Sequence, residues 1–345
     1  MSFAPDRIHR EAGFTLIELM ISLVLGLIVM GSAVAVLASQ RGSARLTTQG
    51  ADIQGEGRIA VDALSRALRG AGDFGCWPVS NPINKLKTTT AFNEANGGVE
   101  GLDKDGTLTD LTGYGAGQLS SMNIASDVVG ITGITSVLTE TTTAMANSNS
   151  DLTVKNSRQS FSDGDVAVIS NCINWTKFQI TTATPGEEST TLKHEAGDKA
   201  GTAGGGNSAS DLGDIYGVGS SVGKLDTVWW FVGQPEGKPR GLYQLSGMGG
   251  LPVLISARVQ DIHLSYDIDT NADGIVDQPE QTAAQVKTAG NWAKVRAAHV
   301  EVLMRSDKSV PTQAIKYTFR GAQVTPTDRA VYLALSQTVA LRNTQ

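Results

Sequence analysis

Apolar residues run almost unbroken from Phe14 to Ala38, about 25 residues that include one charge, Glu18. As a helix this segment would extend about 37 Å, enough to cross a bilayer with some tilt. Beyond it, Leu46, Ile53, Ala60, Val61, Leu64, Ala67 and Leu68 recur at three- and four-residue spacing. That stripe predicts an amphipathic continuation of the same helix. Asp62 and Arg66 would pair on its exposed side, and the run Arg69-Gly70-Ala71-Gly72 would end it. Gly26 and Gly31 weaken the inner half and Gly50, Gly55 and Gly57 the outer half, each by up to about 1 kcal/mol. They serve either close packing or local melting during assembly; the pattern leaves both open.

After Pro78 the periodicity changes from helical to alternating. Short β-like runs fall at 127–132, 165–172, 177–181, 226–232, 241–245, 259–268, 298–304, 315–320 and 331–341, separated by Thr/Ser/Gly/Asn loops. Ile262, Leu264, Tyr266 and Ile268 alternate with His263, Ser265 and Asp267, as in a half-buried strand. The expected fold class is α+β: a long N-terminal helix, half membrane-spanning and half amphipathic, packed on an antiparallel sheet with long loops. The organisation would be a leader at 1–13, a transmembrane segment at 14–38, an amphipathic helix at 39–72 and a β-rich body at 73–345. Loops such as Thr141–Thr143 and Gly201–Ser210 read as solvent-exposed connections.

Composition narrows the function classes. Of 345 residues 18 % are charged, with a net charge of −6, so no basic face for nucleic acid is expected. The two cysteines, Cys76 and Cys172, fit one disulfide, which an extracytoplasmic location would favour; two buried thiols are the alternative. Closing that loop would stabilise the fold by about 4–5 kcal/mol in the chain-entropy model.

The decisive junction precedes the apolar run. A secretory signal peptide would be cut after a shorter apolar region, whereas a cut between Gly13 and Phe14 removes a short polar leader and keeps the helix. A carboxylate inside a membrane segment is costly and marks function. The run Gly13-Phe14-Thr15-Leu16-Ile17-Glu18-Leu19-Met20 resembles the type IV prepilin motif. The resemblance implies that prepilin peptidase cuts after Gly13 and methylates Phe14. It also implies that Glu18 pairs with a neighbouring amino terminus during assembly, since a buried carboxylate and ammonium are each costly alone and tolerable together. Charge does not settle orientation: Arg7 and Arg10 are offset by Asp6 and Glu11, and Arg41 and Arg45 flank the other end. A body outside the inner membrane, in the periplasm and later on the pilus surface, follows from the resemblance alone.

Further features resemble PilW-type minor pilins: Arg58 to Arg66, Leu68-Arg69, Gly75-Cys76, Gly164-Asp165 leading to Cys172, Val302 to Ser306, and Thr338 to Asn343. The resemblance implies a low-abundance subunit that helps start assembly near the filament tip, with other minor pilins, the major pilin and a tip-associated adhesin as partners. A pseudopilin of type II secretion shares the same N-terminal chemistry, and a Ca²⁺-dependent surface-binding module is a rival of another class.

Residues 269–280, DTNADGIVDQPE, fit D-x-[DN]-x-[DN]-G-x5-E. The spacing predicts Ca²⁺ held by Asp269, Asn271, Asp273, the Ile275 carbonyl, Asp277 and Glu280, with Gly274 at the sharp turn. The alternative is a metal-free acidic turn between strands, since a strand precedes Asp269 and Pro279 follows. Asp103-Lys104-Asp105-Gly106 reads as a plain turn. His9, His194, His263 and His299 lack metal-ligand spacing, with His263 and His299 read as solvent-facing. Gly217–Gly223 reads as a loop, and Trp229 and Trp230 as packing residues. No catalytic motif is present, so an enzyme is not expected.

Overall fold

Thr15 has an extended backbone, and its hydroxyl accepts a hydrogen bond from the Glu18 amide, the arrangement of an N-cap. From it runs one helix, α1 (Leu16–Arg69), of 54 residues. The computed structural model describes residues 15–75, 81–87, 97–157, 160–197, 205–309 and 313–341, leaving Gly13 and Phe14 outside. Among the described residues, α1 is the helix long and apolar enough to cross a membrane. Its inner half, Leu16 to Leu37, is exposed along its whole length. Its outer half buries Ile53, Gly57, Ala60, Val61, Leu64, Ser65 and Leu68, close to the predicted stripe. The Asp62–Arg66 pair forms on the exposed side. Such a pair contributes a few tenths of a kcal/mol.

The glycines divide. A Cβ on Gly26, Gly31, Gly50 or Gly55 would meet open space, whereas one on Gly57 would lie 2.4 Å from Leu335 Cδ1 and 3.0 Å from Met304 Cγ. Gly57 therefore sets how closely helix and sheet approach.

Among the described residues eleven strands come first: β1 (Asn81–Asn84), β2 (Val99–Leu102), β3 (Val128–Glu140), β4 (Leu152–Lys155), β5 (Val166–Ser170), β6 (Asn174–Gln179), β7 (Thr182–Pro185), β8 (Ser189–Lys193), β9 (Ser221–Gly233), β10 (Gly241–Ser246) and β11 (Val253–Ser256). The C-terminal part adds β12 (Val259–Ile268), β13 (Gln278–Gln281), α2 (Ala283–Ala289), β14 (Val295–Arg305), β15 (Tyr317–Phe319), β16 (Ala322–Val324) and β17 (Tyr332–Ala340). They form four sheets: an eight-stranded one centred on β9, the four-stranded β13-β12-β14-β17, the three-stranded β4-β8-β7, and the hairpin β15-β16. Pairing is antiparallel except between β1 and β6.

The helix lies on the four-stranded sheet. Ile262, Leu264, Tyr266, Val300, Val302 and Met304 share one core with the α1 stripe, and Ile131 and Trp230 of the large sheet close it. The opposite face of the large sheet carries Trp229, Phe231 and Tyr243 into a second core under the 108–121 turns. Both tryptophans are packing residues, as expected.

Several loops carry more structure than expected. Asn207, in the 201–210 segment, is fully buried and pairs its amide with the Gln179 backbone in both directions. It thus completes the hydrogen bonds at the end of β6. Thr141 is buried and bridges to Val154. The expected 217–223 loop ends at Gly219–Ser220, because Ser221 already begins β9 and Gly223 packs under Ile134. The Asp103–Gly106 turn is present, with the Gly106 amide donating to the Asp103 carbonyl. The Asp103 carboxylate also accepts from the Ala283 and Ala284 amides, which opens α2.

Candidate functional site

At the N-terminal end the structure places Glu18 in the first turn of α1, exposed, on a helix half that packs against no other element among the described residues. A carboxylate there complements the positive end of the helix dipole. Gly13 and Phe14, the expected cleavage junction, lie outside the described residues.

Cys172 sits in the tight connection between β5 and β6 with a positive φ of 66°. Asn171 shapes that turn, accepting from the Ile173 and Asn174 amides. Among the described residues no cysteine is free, and Cys76 lies outside them. The chain leading towards it is fixed here: Phe74 stacks on Trp175 with centroids 4.8 Å apart, and Gly75 lies against Ser170.

The acidic loop follows β12. Asp269 is buried; its Oδ1 accepts from the Ala272 amide at 2.7 Å and its Oδ2 from the Gly274 amide at 2.9 Å and Arg296 Nε at 3.2 Å. Burial pushes this carboxyl up, and the two amides with the guanidinium outweigh it, so it stands below its ordinary range. Gly274 takes a φ of 87°, as the motif requires of its turn. Asn271 and Asp273 bond to each other, and Asp273 accepts from the Ile275 amide. Asp277 accepts from the Thr270 amide and hydroxyl. Glu280 does not join them: it lies in β13, exposed, and lines a cleft on the sheet. The Gly274 turn matches the spacing, but Asp269, Asp273 and Asp277 are engaged by protein donors. Among the described residues no group of three or more His, Cys, Asp and Glu is placed to hold a metal.

That cleft, of about 510 Å³, lies on the polar face of the four-stranded sheet and is lined by His263, Ser265, Glu280, His299, Glu301 and Arg320. The solvent-facing reading of the two histidines is corrected here. His263 Nδ1 lies 2.7 Å from the buried Asp127 carboxylate, and His299 Nε2 lies 2.8 Å from Asp267. Alternation put both on the polar face, but Asp127 from the start of β3 and Arg320 from the β15-β16 turn reach across that face. Arg320 binds Asp127 at 2.9 Å and Asp261 at 3.3 Å, and Lys104 binds Asp261 at 3.0 Å. Burial raises the Asp127 carboxyl; His263, the Leu264 amide and Arg320 more than offset this and hold it low. The cluster joins the large sheet to the small one.

Residues 240–343 match the family model of type IV pilus-assembly protein W, and residues 8–34 match the prokaryotic N-terminal methylation motif. The chain is PilW-like, with a prepilin-type N terminus. The chain matches no curated protein and no solved structure. The first match includes β14 and β17, the strands on which α1 rests, and the second spans the Glu18 turn. Both families are pilus structural or assembly families, and together they support a type IV pilus-related minor pilin.

Proposed function

We propose that this chain is a low-abundance minor pilin that helps start pilus assembly at or near the filament tip. The observation that carries the reading is the division of α1. Its outer half is packed into the body, while its inner half is apolar, exposed and bears one carboxylate, Glu18. Such a surface needs lipid or neighbouring helices, and the carboxylate needs a positive partner. In this reading prepilin peptidase cuts after Gly13 and methylates Phe14. The body then stands in the periplasm above the inner membrane until other minor pilins and the major pilin draw the helix into a filament. A large β-rich body beyond the helix suits a tip, where it need not repeat along the shaft, and a tip-associated adhesin is the partner expected there.

The test joins three readouts in the native bacterium. Sheared pili should contain traces of the protein, deletion should reduce piliation with secretion intact, and Glu18→Ala should leave the protein in the membrane but out of the pilus fraction. Normal piliation with lost secretion would overturn the reading in favour of a type II secretion pseudopilin.

Two finer points belong to the same proposal. Cys76 and Cys172 form a disulfide, supported by the Phe74–Trp175 stack and the packing of Gly75 on Ser170. The 269–280 loop takes Ca²⁺ through Asp269, Asn271, Asp273, the Ile275 carbonyl, Asp277 and Glu280, supported by the spacing and the Gly274 turn. Binding is expected to be weak, since the ion must exchange with Arg296 at Asp269 and Glu280 must turn inward. Calorimetry on the full chain in detergent should give a calcium heat and an upward melting shift; neither would be seen if the loop is a plain turn.

A further inference from the structure

An oxygen-rich loop of this spacing ordinarily folds around a divalent ion, because clustered carboxylates repel and their desolvation is costly without a cation. Here the buried member, Asp269, already has one. Arg296 reaches it from β14, and the local register explains how. Strands β12 and β14 pair Asp267 with Ala297 and Ile268 with Val295, so a bulge leaves Arg296 between the two partners. A bulge re-aims the extra side chain, and Arg296 Nε meets Asp269 Oδ2 at 3.2 Å where the carboxylate side chain is fully inaccessible. The neighbouring Lys294 adds a second cation, its Nζ donating to the Thr270 carbonyl at 3.0 Å, while its own carbonyl accepts from the Asp269 amide at 3.1 Å. With the guanidinium balancing the charge, the remaining oxygens are free to act within the chain. Asp269 holds the Ala272 and Gly274 amides, Asp273 holds the Ile275 amide, and Asp277 holds Thr270.

We propose that Arg296 is the resident cation of the 269–277 turn, a positioning residue that keeps the turn folded with no metal bound. This goes beyond the calcium reading and does not depend on it: the turn stands whether or not an ion ever replaces the guanidinium. It assigns Arg296 a role that no motif in the loop itself specifies. It also makes the loop a fixed feature of the body surface, available for contact with another subunit at any calcium level.

The test is amide hydrogen exchange on the full chain in detergent micelles, read on peptides covering 270–277 and, as a control, on β9. In wild type treated with EDTA, the loop amides should exchange within twofold of the untreated protein. In Arg296→Gln with EDTA, they should exchange at least tenfold faster while β9 is unchanged. The proposal is overturned if EDTA alone accelerates the wild-type loop tenfold, or if the variant exchanges like wild type. The wild-type arm tests metal independence without any substitution. Where Arg296→Gln fails to fold, Arg296→Lys, which keeps the charge, should exchange within threefold of wild type, and a tenfold acceleration in that variant would overturn the proposal.

Discussion

Gly57 offers the sharpest check on how the helix is seated. In an exposed helix interior, glycine to alanine gains up to about 1 kcal/mol of helix propensity. Gly55 has open space around its missing side chain, so Gly55→Ala should gain about 0.5–1 kcal/mol. At Gly57 the same methyl would stand 2.4 Å from Leu335 Cδ1 and 3.0 Å from Met304 Cγ. Leu335 is only half-buried and can turn aside, whereas Met304 is fully buried. Overpacking of this kind costs about 1–3 kcal/mol, so Gly57→Ala should come out between neutral and about 2 kcal/mol destabilising. Gly57→Leu adds three further carbons with no space to receive them and should lose about 3 kcal/mol. For a large domain each kcal/mol moves Tm by about 2–4 °C. Thermal melts of the full chain in micelles, followed by tryptophan fluorescence, should therefore place Gly55→Ala above wild type and Gly57→Leu well below it. If Gly57→Ala stabilised as much as Gly55→Ala, the close approach of α1 to β14 and β17 would be refuted.

Two further outcomes follow from the proposed disulfide and from a buried phenol. Reduction, or Cys172→Ser, should cost about 2–5 kcal/mol of stability; a melt unchanged by reductant would mean that no such bond forms. The Tyr216 hydroxyl is buried beside Thr176, at 2.7 Å, and burial pushes its pKa up to about 12, the Thr176 contact opposing this and Asp214 adding to it. A phenol raised from about 10 contributes stability that is intact below pH 10 and is lost as pH rises towards 12, on the order of 3 kcal/mol for two units. Denaturation curves between pH 9 and 12 should fall steeply in wild type and less so in Tyr216→Phe. Equal slopes would show that another group governs the alkaline loss, and Tyr266, fully buried and also raised by that burial, is the next to examine.

The parts legible in the sequence are those where one face is apolar and the other is not. Strand β12 coincides with the expected 259–268 run, because Ile262, Leu264 and Tyr266 enter the apolar core while His263 and Ser265 do not. The helix stripe and its stop at Arg69 were legible for the same reason. Strands β4, β7 and β8 were not, since their Thr- and Ser-rich sequences resemble loops and their order comes from pairing with one another. Helix α2 did carry a signal: Thr282 and Gln285 form a capping box and Gly290 ends the helix at φ 65°. Its seven residues are too few to show a period. At the candidate site, spacing located the acidic loop but not Arg296, whose approach depends on a register shift between strands 27 residues apart in sequence. His263 and His299 were assigned to the correct face, but the residues covering that face come from β3 and the β15-β16 turn, which alternation within β12 and β14 cannot reveal.

The two matches divide the molecule by mechanical duty. The 8–34 match includes most of the exposed apolar half of α1, and the 240–343 match includes β14 and β17, on which its outer half rests. Force along a helix in a filament must pass into the body through the buried residues Ile53 to Leu68, hence into β14 and β17. These strands run 11 and 9 residues in an uninterrupted ladder from Ala297–Ala340 to Arg305–Tyr332, so the load is spread over many hydrogen bonds. The eight-stranded sheet meets the same helix at its rim, where Ser256 of β11 donates to Glu56 and the Thr132 carbonyl of β3 accepts from the Gly72 amide. It joins the cradle through the shared core at Ile131 and Trp230 and through the Asp127–His263–Arg320 cluster. Substitutions that open the seat of α1 on β14 and β17 should therefore lower the melting temperature of the whole body, whereas substitutions on the exposed β7–β8 turn, remote from that seat, should leave it unchanged.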